Sequence, residues 1–122
     1  MNYDIIIVGA GPAGIFTALE LIRRGSNKKI LMLEKGLPIE KRHCPKVRTR
    51  ECVKCKPHCH ITTGFSGAGA FSDGKLSLSY EVGGELPELI GWETAQSLID
   101  YTDKIYLEFG ADSHVEGISG DP

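Results

Sequence analysis

The sequence predicts an α/β fold that begins with two parallel strands joined by a helix. Three observations predict it: a segment over residues 3–8 with the apolar run IIIV, a helical apolar pattern over residues 12–24, and a second segment over residues 29–34 with the apolar run ILML. A strand, a helix and a strand within about 30 residues imply a right-handed crossover between parallel strands. Because both strands are continuously apolar, we expect each to be buried on both faces.

The helix between these strands is defined by its ends and by one apolar face. Pro12 suits the first turn of a helix, and Gly25 is a natural stop. The apolar face is formed by residues that recur at helical spacing, namely Ile15, Ala18, Leu19 and Ile22.

A glycine motif separates the first strand from the helix. Gly9, Gly11 and Gly14 form G-x-G-x-x-G, and their position between a strand and a helix is what gives this motif meaning. Gly9 permits the tight turn, Gly11 lets backbone approach a pyrophosphate, and Gly14 lets the helix pack closely on the strand. The helix N-terminus adds free N–H groups and a positive dipole end. We therefore expect a dinucleotide-binding turn.

One acid completes this pattern. Glu34 ends the second strand, twenty residues after Gly14. A carboxylate at that place accepts hydrogen bonds from a ribose hydroxyl pair and repels a 2′-phosphate, which argues against NADP at this site. The alternative is a purely structural glycine turn followed by an ordinary acid at a strand end.

The rest of the chain is less regular. Residues 36–63 contain three prolines and all the cysteines, and we interpret them as an irregular excursion. Residues 64–75 form a second loop rich in glycine and serine. Residues 76–80 alternate as a short half-buried strand does, and residues 91–109 predict an amphipathic helix that Gly110 ends.

Four cysteines lie close together in the excursion. Their spacing is C-x7-C-x2-C-x3-C, which fits no standard metal motif, so we assign no metal ligand from the sequence. A structural zinc or iron–sulfur site, a redox pair formed by two of them, and unlinked thiols all stay open. The four residues are Cys44, Cys52, Cys55 and Cys59, of which Cys52 and Cys55 would form the redox pair.

Charge and hydropathy narrow the classes of function. The net charge of -2 does not favour a duplex nucleic-acid binder, and no apolar run approaches the length of a membrane span. The N-terminus lacks the basic region of a signal peptide, so we expect a soluble cytoplasmic protein without nucleic-acid or membrane partners. Half of the Lys and Arg residues lie between Lys41 and Lys56. This basic segment is either a solvated loop or a surface that faces cofactor phosphates or an acidic partner.

Several of these stretches resemble a known family. "DIIIVGAGPAG" together with "LMLEKG" resembles the FAD-binding N-terminus of the two-dinucleotide-binding-domain flavoproteins, which include relatives of glutathione reductase and geranylgeranyl reductase. "GFSGAGAFSDGKLSLS" and the helical stretch "LPELIGWETAQSLIDYTDKIYLEFGA" resemble, more narrowly, a set of bacterial and archaeal proteins called uncharacterised FAD-dependent dehydrogenases.

The resemblance implies a cofactor and the residues that hold it. FAD would be the cofactor, Glu34 would hold the adenosine ribose, and Lys35 would lie beside it. The second glycine loop would lie near the phosphates or the flavin, with Ser66, Ser72, Asp73 or Lys75 as hydrogen-bonding residues. The FAD pyrophosphate would be wrapped by six consecutive residues of the turn, namely Gly9, Ala10, Gly11, Pro12, Ala13 and Gly14.

The resemblance also implies that the chain is part of a larger domain. Members of this family are several times longer, so we expect the N-terminal portion of a Rossmann-like FAD-binding domain with a parallel sheet. The ribitol of FAD is held in the family by a Gly-Asp pair that follows a strand. No apolar strand precedes the Gly120–Asp121 pair here, which therefore does not match it.

The expected activity belongs to the full-length protein, as an FAD-dependent oxidoreductase whose substrate the sequence does not name. We divide the chain into a βαβ unit (1–35), a Cys/basic insertion (36–63) and a segment with the second glycine loop and the amphipathic helix (64–122). The isoalloxazine site, the substrate pocket and any NAD(P)H domain would lie elsewhere, and no catalytic residue is assigned. Two alternatives stay open: an NAD-binding dehydrogenase domain, and a metal-stabilised module that binds a partner through residues 41–60.

Overall fold

The computed structural model describes residues 1–117 and has a mixed α/β fold. Strand β1 (Ile5–Val8) pairs in parallel with strand β2 (Ile30–Leu33), with Ile5 opposite Ile30 and Val8 opposite Leu33. Helix α1 (Pro12–Arg23) connects them. The predicted strand, helix and strand are confirmed, although both strands are shorter than the ranges 3–8 and 29–34 predicted for them.

Helix α1 ends as its sequence predicts. Gly25 has a φ of 71°, and its N–H donates to the carbonyl of Ile22 at 2.9 Å. The N–H of Ser26 donates to the carbonyl of Leu21, also at 2.9 Å. These two bonds form a Schellman motif, which needs a left-handed residue and so favours glycine.

The expectation that both strands are buried on both faces is wrong. Ile5 and Ile7 are half-buried, whereas 58% of Ile6 and 83% of Val8 is exposed. Helix α1 covers the face that carries Ile7, since a Cβ added at Gly14 would lie 3.2 Å from the Ile7 side chain. The other face of this two-stranded sheet carries the exposed side chains of Ile6 and Val8.

The excursion contains only short helical turns. They are a 3-10 helix at Ile39–Lys41, the four-residue helix α2 (Lys46–Thr49) and a 3-10 helix at Gly67–Phe71 in the second glycine loop. Between these turns the chain is irregular, as predicted.

One buried arginine organises this irregular part. Arg42 is 3% exposed, and its guanidinium lies 4.8 Å from the ring centroid of Phe71. It donates to four backbone carbonyls at distances of 2.6–2.9 Å, those of His60, Ile61, Phe65 and Gly67. The planar fork of a guanidinium can satisfy several carbonyls at once, and this replaces regular structure as the support of the loop.

The described residues form two compact units, of which the first spans Met1–Lys75 and the second begins at Leu76. The second unit contains helix α3 (Leu86–Ile90) and helix α4 (Trp92–Glu108), separated by Gly91 with a φ of 89°. Helix α4 confirms the predicted amphipathic helix to within one residue at each end. Helix α3 was not predicted.

The predicted strand over residues 76–80 is wrong. This segment carries no regular structure, and the described part of the chain offers no strand that pairs with it. Alternating apolar and polar residues favour a strand only where a neighbour supplies ladder hydrogen bonds.

No helix within residues 1–117 is both long enough and apolar enough to cross a bilayer.

Candidate functional site

The glycine turn lies where β1 ends and α1 begins. The N–H of Gly9 continues the ladder by donating to the carbonyl of Leu33 at 2.7 Å, and Gly9 then turns with a φ of +99°. A Cβ at Gly14 would collide with the carbonyl oxygen of Gly9. Both positions therefore need glycine for the fold itself, in the roles that the motif predicts.

Gly11 differs from its two neighbours. It precedes the first residue of α1 with φ −79° and ψ −178°, which alanine also adopts. A Cβ added to Gly11 would meet no atom of the described chain within 4 Å. Packing within residues 1–117 gives no reason for glycine here, whereas close approach of a ligand does.

The first turn of α1 presents free backbone donors beside Gly11. Pro12 has no N–H, and the N–H groups of Ala13 and Gly14 precede the first intrahelical bond, which runs from Ile15 to the carbonyl of Gly11 at 3.0 Å. No side chain caps this helix. These groups and the positive end of the helix dipole form a surface suited to an anion.

Ala10 holds the turn in place through its backbone. It is fully buried, and its N–H donates to Oε2 of Glu34 at 2.9 Å while its carbonyl accepts from the N–H of Ser66 at 2.7 Å. The Ala10 amide is therefore committed to the protein, as the Gly9 amide is, and neither is available to a phosphate.

Glu34 is the residue after β2, and its carboxylate lies beside the glycine turn. Besides the bond from Ala10, its Oε1 accepts from the N–H of Gly36 at 2.8 Å. The bond from Ala10, then that from Gly36, and then the nearby charge of Lys35 lower the pKa of Glu34 from its ordinary value. A carboxylate has about four lone-pair sites, so Glu34 keeps acceptor capacity for a ligand. The Lys35 side chain is exposed beside it.

The second glycine loop lies directly against this turn. Ser66 bonds to Ala10, and a Cβ added to Gly67 would lie 3.6 Å from Pro12 and 3.7 Å from Gly11. The loop is also held by Leu37, whose carbonyl accepts a hydrogen bond from the N–H of Phe65 at 3.1 Å. The structure thus brings residues 64–67 to the glycine turn.

Residues 69–75 of that loop form hydrogen bonds and an ion pair with one another. Asp73 and Lys75 pair with each other across 3.5 Å on the surface. The hydroxyl of Ser72 donates to the carbonyl of Gly69 at 3.0 Å, which forms a turn. Of the four hydrogen-bonding residues suggested for this loop, the contacts above place only Ser66 beside the glycine turn.

The four cysteines line one cavity of about 170 Å³ in the first unit, and all are free thiols. Hydrogen bonds from the Thr62 and Ile61 N–H groups and from the Thr62 hydroxyl lower the pKa of Cys59 from its ordinary value. Among residues 1–117, no three Cys, His, Asp or Glu side chains converge as ligands of one ion.

Sequence reasoning missed Arg42, the residue that joins the excursion to the second glycine loop. It is one of seven basic residues between Lys41 and Lys56, and no local pattern distinguishes it. Its acceptors are backbone carbonyls, which every residue has, so only the three-dimensional structure reveals its role.

Fold and site together define a mixed α/β protein whose glycine turn is held by hydrogen bonds from backbone N–H groups to the Glu34 carboxylate. The chain is 40% identical over 72 residues to an uncharacterized protein of Clostridium beijerinckii, a match that covers 59% of this chain and 13% of that protein. The chain thus spans a small part of the relative it matches. No family model matches the chain, and no solved structure matches it.

Proposed function

We propose that the chain is the FAD-binding portion of a flavin-dependent oxidoreductase and holds the adenosine diphosphate half of the cofactor. The observation that carries the proposal is Gly11. It has room for a side chain and a conformation that permits one, yet it is glycine in a turn whose other two glycines the fold requires. A diphosphate that packs against this backbone explains the choice.

The donors that would hold the diphosphate belong to the first turn of α1. The N–H groups of Ala13 and Gly14 are free of intrahelical partners, and the helix dipole adds a positive potential. The second glycine loop, which Ser66 ties to Ala10, would cover the phosphates from the other side.

Glu34 would bind the adenosine ribose. Its bonds from Ala10 and Gly36 hold the carboxylate ionised and in a fixed orientation, and its remaining lone pairs can accept from ribose hydroxyls. The same negative charge would repel a 2′-phosphate, which favours FAD or NAD over NADP.

FAD supplies hydride or electron transfer when bound. The described residues would contribute binding and orientation: amides for the diphosphate, a carboxylate for the ribose, and backbone near the phosphates in the second loop. The substrate and the electron donor would be met by other parts of the protein, in keeping with the family resemblance.

Calorimetric titration of the chain with FAD, NAD and NADP tests the proposal. We expect FAD to bind and to compete with ADP, and NADP to bind more weakly than NAD. The variant G11A should weaken FAD binding about tenfold or more, because a Cβ there would cost the diphosphate roughly 1–3 kcal/mol.

A matched control is available on the same helix. Thr17 is exposed, and its hydroxyl bonds only to the carbonyl of Ala13 at 2.7 Å, so T17A should leave the affinity unchanged. NAD binding more tightly than FAD would favour the NAD-binding dehydrogenase domain. Failure of FAD, NAD and ADP to bind at saturating concentration would contradict the proposal.

A further inference from the structure

The cysteine cavity is the second site in the first unit at which chemistry-bearing side chains meet. Its volume of about 170 Å³ is roughly ten times the 10–15 Å³ that one water molecule requires. Its other walls include Pro45, Val53 and Ile61, so a group inside it would be shielded by apolar residues. The feature to explain is that every cysteine of the chain faces this one cavity.

The folding of the excursion brings the cysteines together from both of its ends. Arg42 is tied to the carbonyls of His60 and Ile61, so Cys44 and Cys59, fifteen residues apart in sequence, reach the same cavity. This convergence is built by long-range hydrogen bonds to a buried side chain and does not follow from sequence proximity.

Cys52 and Cys55 reach the cavity from the segment that follows helix α2. Arg50, the residue after helix α2, has a φ of 61°, and Lys54 between the two cysteines has a φ of 49°. Non-glycine residues in the left-handed region cost about 1 kcal/mol or more each and persist where the surroundings require them. The backbone thus accepts strain in the segment that presents these two thiols.

Hydrogen-bond donors and positive charges lie around the thiols of the cavity. The sulfur of Cys59 accepts hydrogen bonds from the backbone N–H groups of Ile61 and Thr62 and from the hydroxyl of Thr62. Lys54 and Lys56 line the same cavity and would offset the negative charge of ligating sulfurs. Hydrogen bonds to sulfur and nearby charge are the features that tune iron–sulfur centres.

We propose that Cys44, Cys52, Cys55 and Cys59 bind an iron–sulfur cluster in this cavity. A cluster of several iron and sulfide atoms takes four thiolates at wider separations than a single tetrahedral ion does. A cavity of about 170 Å³ lined by all four thiols is larger than a lone zinc ion needs and has room for a cluster. Each thiol loses its proton on ligation.

Anaerobic reconstitution of the full chain tests this proposal. The chain is incubated with ferric chloride, sodium sulfide and excess dithiothreitol, which supplies the electrons that reduce part of the iron, and zinc is offered in parallel. We expect about two or about four iron atoms per chain, an equal amount of acid-labile sulfide, and visible charge-transfer absorbance. One zinc per chain without sulfide, or no bound metal, would overturn the proposal.

Variants separate ligation from folding. C44S and C59S should reduce bound iron to background, whereas H43N should not, because His43 is exposed and is not part of the cavity wall. Iron retained at full stoichiometry in both cysteine variants would contradict the assignment. Circular dichroism of each variant shows whether the fold persists.

Thr62 gives a readout that does not depend on removing a ligand. T62V deletes the hydroxyl that donates to Cys59 and preserves the shape of the side chain. The cluster should remain, and its reduction potential should fall, because a hydrogen bond to sulfur stabilises the more negative, reduced state. An unchanged potential would contradict placement of the cluster at Cys59. None of these outcomes depends on nucleotide binding.

Discussion

The three glycines of one turn are glycine for different physical reasons. Gly9 needs a left-handed conformation, Gly14 lies against the carbonyl oxygen of Gly9, and Gly11 has neither constraint. The motif predicts a separate role for each of the three. The structure shows that the fold itself requires Gly9 and Gly14, and it leaves Gly11 as the one that a ligand would explain.

This difference predicts opposite effects of the same substitution. G14A should lower the free energy of unfolding by roughly 1–3 kcal/mol or prevent folding, because its Cβ meets backbone that cannot move aside. G11A should change stability by less than about 0.5 kcal/mol. Urea unfolding followed by circular dichroism measures both. Equal losses of stability in the two variants would show that Gly11 is structural as well.

A second prediction at this scale concerns pH. Because the folded pKa of Glu34 is lowered, its ionised form stabilises the fold above the ordinary value near 4.5, and this contribution is lost as the pH falls through the folded pKa. E34Q removes one acceptor oxygen and should cost about 1 kcal/mol at pH 7. The difference between the native chain and E34Q should shrink steadily in unfolding experiments below pH 4.5. A difference that stays constant across that range would contradict this account.

At the scale of elements, the sequence predicts those helices and strands that depend on residues close together in the chain. Helix α1, its glycine stop and the two parallel strands follow from periodicity and from turn residues within a few positions. The strand predicted over residues 76–80 failed because alternation supplies no partner strand. The exposed face of β1 was not predicted because burial depends on which elements cover a sheet. The role of Arg42 was not predicted, because its hydrogen-bond acceptors are backbone carbonyls far from it in the sequence.

Arg42 is the residue on which the shape of the excursion depends. R42K keeps the charge, but an ammonium group cannot reach four carbonyls that a planar fork satisfies, and unsatisfied buried carbonyls cost roughly 1–3 kcal/mol each. We expect the excursion to loosen and trypsin to cut after Lys46 or Lys54 at least tenfold faster, as peptide mass spectrometry would show. R24K serves as the control, since Arg24 pairs with Glu20 on an exposed helix end. Equal cleavage rates in R42K and the native chain would contradict this role.

At the scale of the molecule, the apolar core is small. The buried apolar side chains of the described chain are Ala10 in the first unit, and Pro87, Ala95 and Ile105 in the second. Strand β1 nevertheless has the continuous apolar sequence of a strand covered on both faces. A larger flavin domain, as proposed, would account for this, since further elements would cover Ile6 and Val8.

The most direct test of the central claim follows backbone amides during addition of ADP. In ¹⁵N-labelled chain, the amide signals of Gly11, Ala13 and Gly14 should shift together and saturate, while Glu51, in the cysteine excursion, should not respond. G11A should abolish the saturable shift and T17A should preserve it. Shifts confined to the basic segment, or no saturable shift at millimolar ADP, would contradict a diphosphate site at the glycine turn.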